Sequence, residues 1–118
     1  MVIMPYKPYV PKSVGELLDY LAHMMLAAPT FKDKTGYLPE ENVETSFTAL
    51  NGGLLAIRPK IGEQRYTTLK AMSDYMRALF ESDPENKTGA TRAGRAIIRE
   101  MEDILRGIAR RGAANRSH

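Results

Sequence analysis

Between Thr91 and Arg110 the apolar residues Ile97, Ile98, Met101, Ile104, Leu105 and Ile108 recur at steps of three and four. On a helix of 3.6 residues per turn this spacing makes one unbroken stripe, which has to be covered by other apolar surface. The other side of the segment carries Arg92, Arg95, Arg99, Arg106 and Arg110, interleaved with Glu100, Glu102 and Asp103. A chain holding such a helix must supply partners for its stripe, and the preceding residues read as those partners.

The first partner runs from 13 to 28. Ser13 followed by Glu16 is a capping-box pattern, in which the hydroxyl takes an orphan amide and the glutamate reaches back to the cap. Val14, Leu17, Leu18, Leu21, Met24, Met25 and Ala28 then repeat at helical spacing until Pro29 forces a stop. Residues 29–38 read as a loop. A later helix, 63–82, places Tyr66, Leu69, Met72, Met76, Leu79 and Phe80 on one face. Its polar face predicts ion pairs Asp74–Arg77 and Arg77–Glu81. The polar connector 83–89 delivers the chain to the last helix.

Residues 43–57 support two drawings. Asn51-Gly52 is a strong hairpin turn signal, with Val43, Thr45, Phe47 and Ala49 alternating before it. Yet Val43, Phe47, Leu50, Leu54 and Ile57 also follow helical steps. Pro39 followed by Glu40, Glu41 and Glu44 suits a helix N-terminus, because proline fits the first position and carboxylates offset the positive end of the dipole. The spacing therefore predicts a helix over 39–58, closed by Pro59. Gly52-Gly53 inside it costs roughly 1 kcal/mol each against alanine, and a kink or close crossing is the physical candidate for that cost.

The expected fold is all-α: a four-helix antiparallel bundle over residues 13–111, with an extended arm over 1–12 and a flexible tail over 112–118. The alternative is α+β, with a small hairpin at 43–57. The expected core contains Leu17, Leu21, Met25, Leu69, Met76, Ile97, Met101, Ile104 and Leu105. In the arm, Pro5, Pro8 and Pro11 suit a polyproline II edge, with Tyr6 and Tyr9 on another. Those tyrosines either strap the arm to the body or dock a partner.

A chain of 118 residues without cysteine buries roughly 65% of its unfolded surface and folds without staples. The missing thiols exclude thiolate zinc sites and cysteine nucleophiles, and they fit a reducing, cytoplasmic setting. No apolar run approaches a membrane span, and the first residues do not make a signal segment. The net charge is +3, but residues 86–118 hold eight Lys/Arg against three Asp/Glu, so the basic character is C-terminal.

No glycine-rich phosphate loop follows a strand, and His23 has no second histidine for a metal. The carboxylates Glu40, Glu41 and Glu44 are explained by the helix dipole. The reading is therefore non-enzymatic, with no cofactor and no metal. Arg92, Arg95 and Arg99 repel one another near a positive helix end, so an anion belongs close by. One source is internal: Asp103 four residues after Arg99, and Glu102 four before Arg106. The other is external. The sequence points to a small protein-binding module, of adaptor or toxin-neutralising immunity type, meeting an acidic protein through Arg92, Arg95 and Arg99 with Tyr6 and Tyr9. The alternative is nucleic-acid binding by the last helix and Arg110-Arg111.

Overall fold

The computed structural model describes residues 9–32 and 42–116, with side chains as far as Arg111. Tyr6, Pro39 and the carboxylates Glu40 and Glu41 lie outside the described residues. Four helices make an antiparallel bundle: α1 (Val14–Ala27), α2 (Val43–Ile61), α3 (Glu63–Glu81) and α4 (Ala90–Arg116). Helix α1 packs on α2 and α4, and α3 packs on the same two, which closes the ring. The apolar stripes meet inside it in one cluster that includes Leu17, Leu21, Met24, Leu50, Leu54, Leu69, Met76, Phe80, Ile98, Met101 and Leu105.

The hairpin drawing of 43–57 is not what forms. Asn51 sits within α2 and accepts a hydrogen bond from the Ser73 hydroxyl of α3 at 2.7 Å, so the residue of the turn signal joins two helices. Both ends of α2 differ from expectation. It begins at Val43 rather than 39, because Asn42 and Thr45 form a reciprocal capping box. The Asn42 side chain accepts from the Thr45 amide at 3.0 Å, and the Asn42 amide donates to the Thr45 hydroxyl at 2.9 Å. It ends at Ile61, with Pro59 inside its last turn. Pro59 withdraws the donor that the Leu55 carbonyl would use, and both residues are exposed. Gly62, at φ 89°, alone separates α2 from α3, and Arg58 reaches across the join to Glu63 and over the Tyr66 ring at 4.6 Å.

Three expected core residues lie at its margin. Met25, Ile97 and Ile104 are only partly buried, while their neighbours Met24, Ile98 and Leu105 are fully enclosed. The stripes of α1 and α4 are wider than the bundle can cover, so the adjacent position takes the centre. Among the ion pairs, Arg77 meets Glu81 at 3.4 Å as expected, but Asp74 pairs with Lys70 at 2.6 Å instead of Arg77. Arg77 instead turns toward the Phe47 ring, 5.8 Å from its centroid. At the C-terminal end, α4 runs to Arg116 rather than stopping at Arg111. Ala113 and Ala114 favour helix and no proline intervenes.

Gly52 and Gly53 receive the end of the arm. A Cβ on Gly53 would lie 2.8 Å from Leu17 Cδ2 and 3.2 Å from both Pro11 Cβ and its carbonyl oxygen. A Cβ on Gly52 would come 3.2 Å from Val10. The close crossing expected of this glycine pair is thus made by α1 and by Val10-Pro11 together. Gly53→Ala is expected to destabilise by about 1 kcal/mol or more despite its better helix propensity, since the backbone of Pro11 has to shift. Equal urea midpoints for this variant and the parent would show that the notch has slack.

Candidate functional site

Helix α4 starts on an internal anion. Asp83, in the connector from α3, is 2% exposed. Its Oδ1 accepts from the amides of Lys87 at 2.7 Å and Thr88 at 3.0 Å, and its Oδ2 from the Thr91 amide at 3.0 Å. The Thr91 hydroxyl returns a bond to the Asp83 carbonyl at 3.0 Å. Burial alone would push this carboxyl up, but the amides of Thr91, Lys87 and Thr88 and the Thr91 hydroxyl outweigh it, and its pKa falls from 3.8 to about 2. Asp83 therefore supplies the negative charge that the α4 N-terminus favours. The sequence offered one signal for it, an aspartate before proline at a helix end, which reads as an ordinary turn.

The sign of the resulting pH dependence follows from a folded value below the unfolded one. The contribution of Asp83 is complete above about pH 4 and is lost as the pH falls toward 2. Thermal melts between pH 5 and 2 should show the midpoint falling through that window. Asp83→Asn should be less stable than the parent at neutral pH and should lose part of the acid slope. An acid limb identical in both proteins would assign it to other carboxylates.

The three arginines of the α4 face have different fates. Arg95 is half-buried and donates to the Ala28 carbonyl at the C-terminus of α1, 3.1 Å away, so it ties two helices together. Arg92 and Arg99 are exposed, with no ion pair or hydrogen bond to any described residue. The expected pairing of Arg99 with Asp103 is not made. Arg106 takes both nearby acids, Asp103 at 3.6 Å and Glu102 at 3.9 Å. Arginine can fork toward two carboxylates, which leaves Arg99 without one. Arg92 and Arg99 are seven residues apart on one face, roughly 10 Å along the axis.

Tyr9 is not brought to this face. Its hydroxyl donates to Glu16 at 2.7 Å, and its ring lies 5.9 Å from that of Tyr20. Hydrogen bonding to Glu16, then burial and the negative charges of Glu16 and Asp19, raise the Tyr9 hydroxyl above its ordinary value. The contact also alters the predicted cap of α1. Ser13 accepts from the Glu16 amide at 3.1 Å, but the Glu16 carboxylate is taken up by Tyr9 and meets the Ser13 hydroxyl at only 3.5 Å. Tyr9 thus fastens the described end of the arm to α1, although 53% of it remains exposed.

No described helix is long and apolar enough to cross a membrane. The chain matches no family model, no curated protein and no solved structure.

Proposed function

We propose that the chain is a small non-enzymatic protein-binding module that meets an acidic protein surface through Arg92 and Arg99 of α4, in the manner of an adaptor or an immunity protein acting in the cytoplasm. The observation that carries this reading is that Arg92 and Arg99 stay exposed with no acid partner among the described residues, while Arg106 takes both Glu102 and Asp103. Arg95 is a structural tie between them, so Arg92 and Arg99 are the contact residues. Tyr9, held by Glu16, plays no part at that face.

Exposed charges contribute little to folding and much to encounter and register. Arg92→Glu with Arg99→Glu should shift stability by no more than about 0.5 kcal/mol. The same variant should weaken partner binding by at least about tenfold. Affinity capture from native extract, with and without nuclease, compares parent and variant. A nuclease-resistant protein retained by the parent alone is the expected result. Duplex binding that falls steeply with salt and disappears in the variant would replace protein with nucleic acid as the ligand. Retention that ignores the double reversal would make the face merely solvated.

A further inference from the structure

The described end of the arm lies on the bundle as a bound peptide would. Tyr9, Val10 and Pro11 are consecutive, and each meets a different part of the surface made by α1 and α2. The Tyr9 ring packs beside Tyr20 and its hydroxyl donates to Glu16, both on α1. Val10 covers Gly52 of α2, and Pro11 is buried against Gly53. A Cβ on Gly52 would meet the Val10 methyls and no other described residue within 4 Å. Gly52 therefore makes room for the arm alone, whereas Gly53 also admits Leu17 of α1.

Little else holds the segment. Apart from the Tyr9 hydroxyl, residues 9–12 make no hydrogen bond or ion pair with a described residue. The segment can leave without breaking any main-chain ladder. Pro11 has no amide hydrogen to satisfy, and it confines Val10 to extended backbone, so the segment is close to its seated shape before it docks. Such preorganisation keeps the ordering cost of seating small.

We infer that the α1–α2 groove over Gly52 and Gly53 is a recognition site for an extended segment of another protein carrying tyrosine, a β-branched residue and proline in that order, and that the chain's own arm is its resident competitor. The ligand's chemistry is read from the residues that fill the site. A tether this short keeps the arm at an effective concentration of about a millimolar. A second copy of the chain brings the identical segment without the tether, so at lower concentrations it does not displace the resident one. A partner whose segment is flanked by further contacts does. This surface shares no residue with the Arg92 and Arg99 face.

The test uses the full chain with Tyr9→Ser, Val10→Asp and Pro11→Gly, which empties the groove, and a display library of extended peptides. Clones are counter-selected on the same chain carrying Gly52→Leu, whose side chain fills the seat of Val10. Survivors should carry Tyr, then Val, Ile or Thr, then Pro. They should bind the emptied chain at least about tenfold more tightly than the parent, whose arm competes. A synthetic peptide of the selected sequence should move the Gly52 and Gly53 amide resonances, and exchanging its tyrosine for phenylalanine should weaken it by removing the bond to Glu16. Val10→Asp alone replaces the triple variant if that one does not melt cooperatively. The proposal fails if no clones are enriched, if the survivors lack that order of residues, or if they bind the parent as tightly as the emptied chain. It fails too if neither arm variant folds, which would make the arm part of the core. A parent that sediments as a dimer dissociated by the arm substitutions would make a second copy the occupant instead.

Discussion

Phe31→Ala should lower the unfolding free energy by about 3–5 kcal/mol, the range for emptying a buried phenylalanine site. Phe31 belongs to the segment read as a loop, yet it is 1% exposed. Its ring stands edge-on to Phe47, with centroids 5.6 Å apart at 86°, and to Phe80, at 5.3 Å and 74°. Such edge-to-face pairs contribute about 0.5–1.5 kcal/mol each beyond area burial. The backbone makes the site demanding, because Phe31 has φ 58°, a left-handed conformation that costs an L-residue about 1–2 kcal/mol. Alanine keeps that cost and loses the contacts that offset it. Urea denaturation measures the change. A loss below about 1 kcal/mol would remove Phe31 from the core.

Gly94→Ala should destabilise by about 1–3 kcal/mol, although alanine is about 1 kcal/mol better than glycine within a helix. The added Cβ would fall 2.5 Å from Phe80 Cε1, 2.7 Å from Cζ and 3.0 Å from Cδ1. Phe80 cannot easily retreat, since it is fully enclosed and packed against Phe31. Gly107→Ala provides the control: its Cβ would meet nothing closer than the Arg111 side chain at 3.9 Å. That substitution should be neutral or stabilising by up to about 1 kcal/mol. Phe80→Leu in the Gly94→Ala background should cost less than in the parent, because the two positions share one space. Strict additivity, or a neutral Gly94→Ala, would show that α3 and α4 separate without penalty.

These two sites also mark where reading the chain stopped short of the structure. Nothing in the spacing of the last helix distinguishes Gly94, and only the position of Phe80, fourteen residues earlier, turns it into a contact. Phe31 lies between Pro29-Thr30 and Lys32, with no periodicity to declare it. Gly53 was different. A glycine pair inside a helix pointed to a kink or a close crossing, and Leu17 with Pro11 makes the crossing.

The candidate site divides in the same way. Composition and helical spacing placed Arg92, Arg95 and Arg99 on one side of the last helix, and that placement stands. Their division into a structural tie and two exposed cations depends on Ala28, sixty-seven residues before Arg95. The partial exposure of Ile97 and Ile104 had no signal of its own, because both read as core by the same spacing as Ile98 and Leu105.

Helices α1, α3 and α4, their apolar stripes and the capping function of Ser13 were determined by the sequence alone, since periodicity and most caps rest on residues within one or two turns of one another, whereas 43–57 admitted a helix or a hairpin. The first turn of α2 shows how local that logic is, with Asn42 and Thr45 displacing the proline and glutamates as the start. Tertiary structure decided which stripe positions reach the centre, which aromatics meet, which acid takes which arginine and which side of α4 stays open. Each of those outcomes depends on groups far apart in the chain, and the reach of a side chain across a helix–helix gap leaves no periodic trace in the residues that make it.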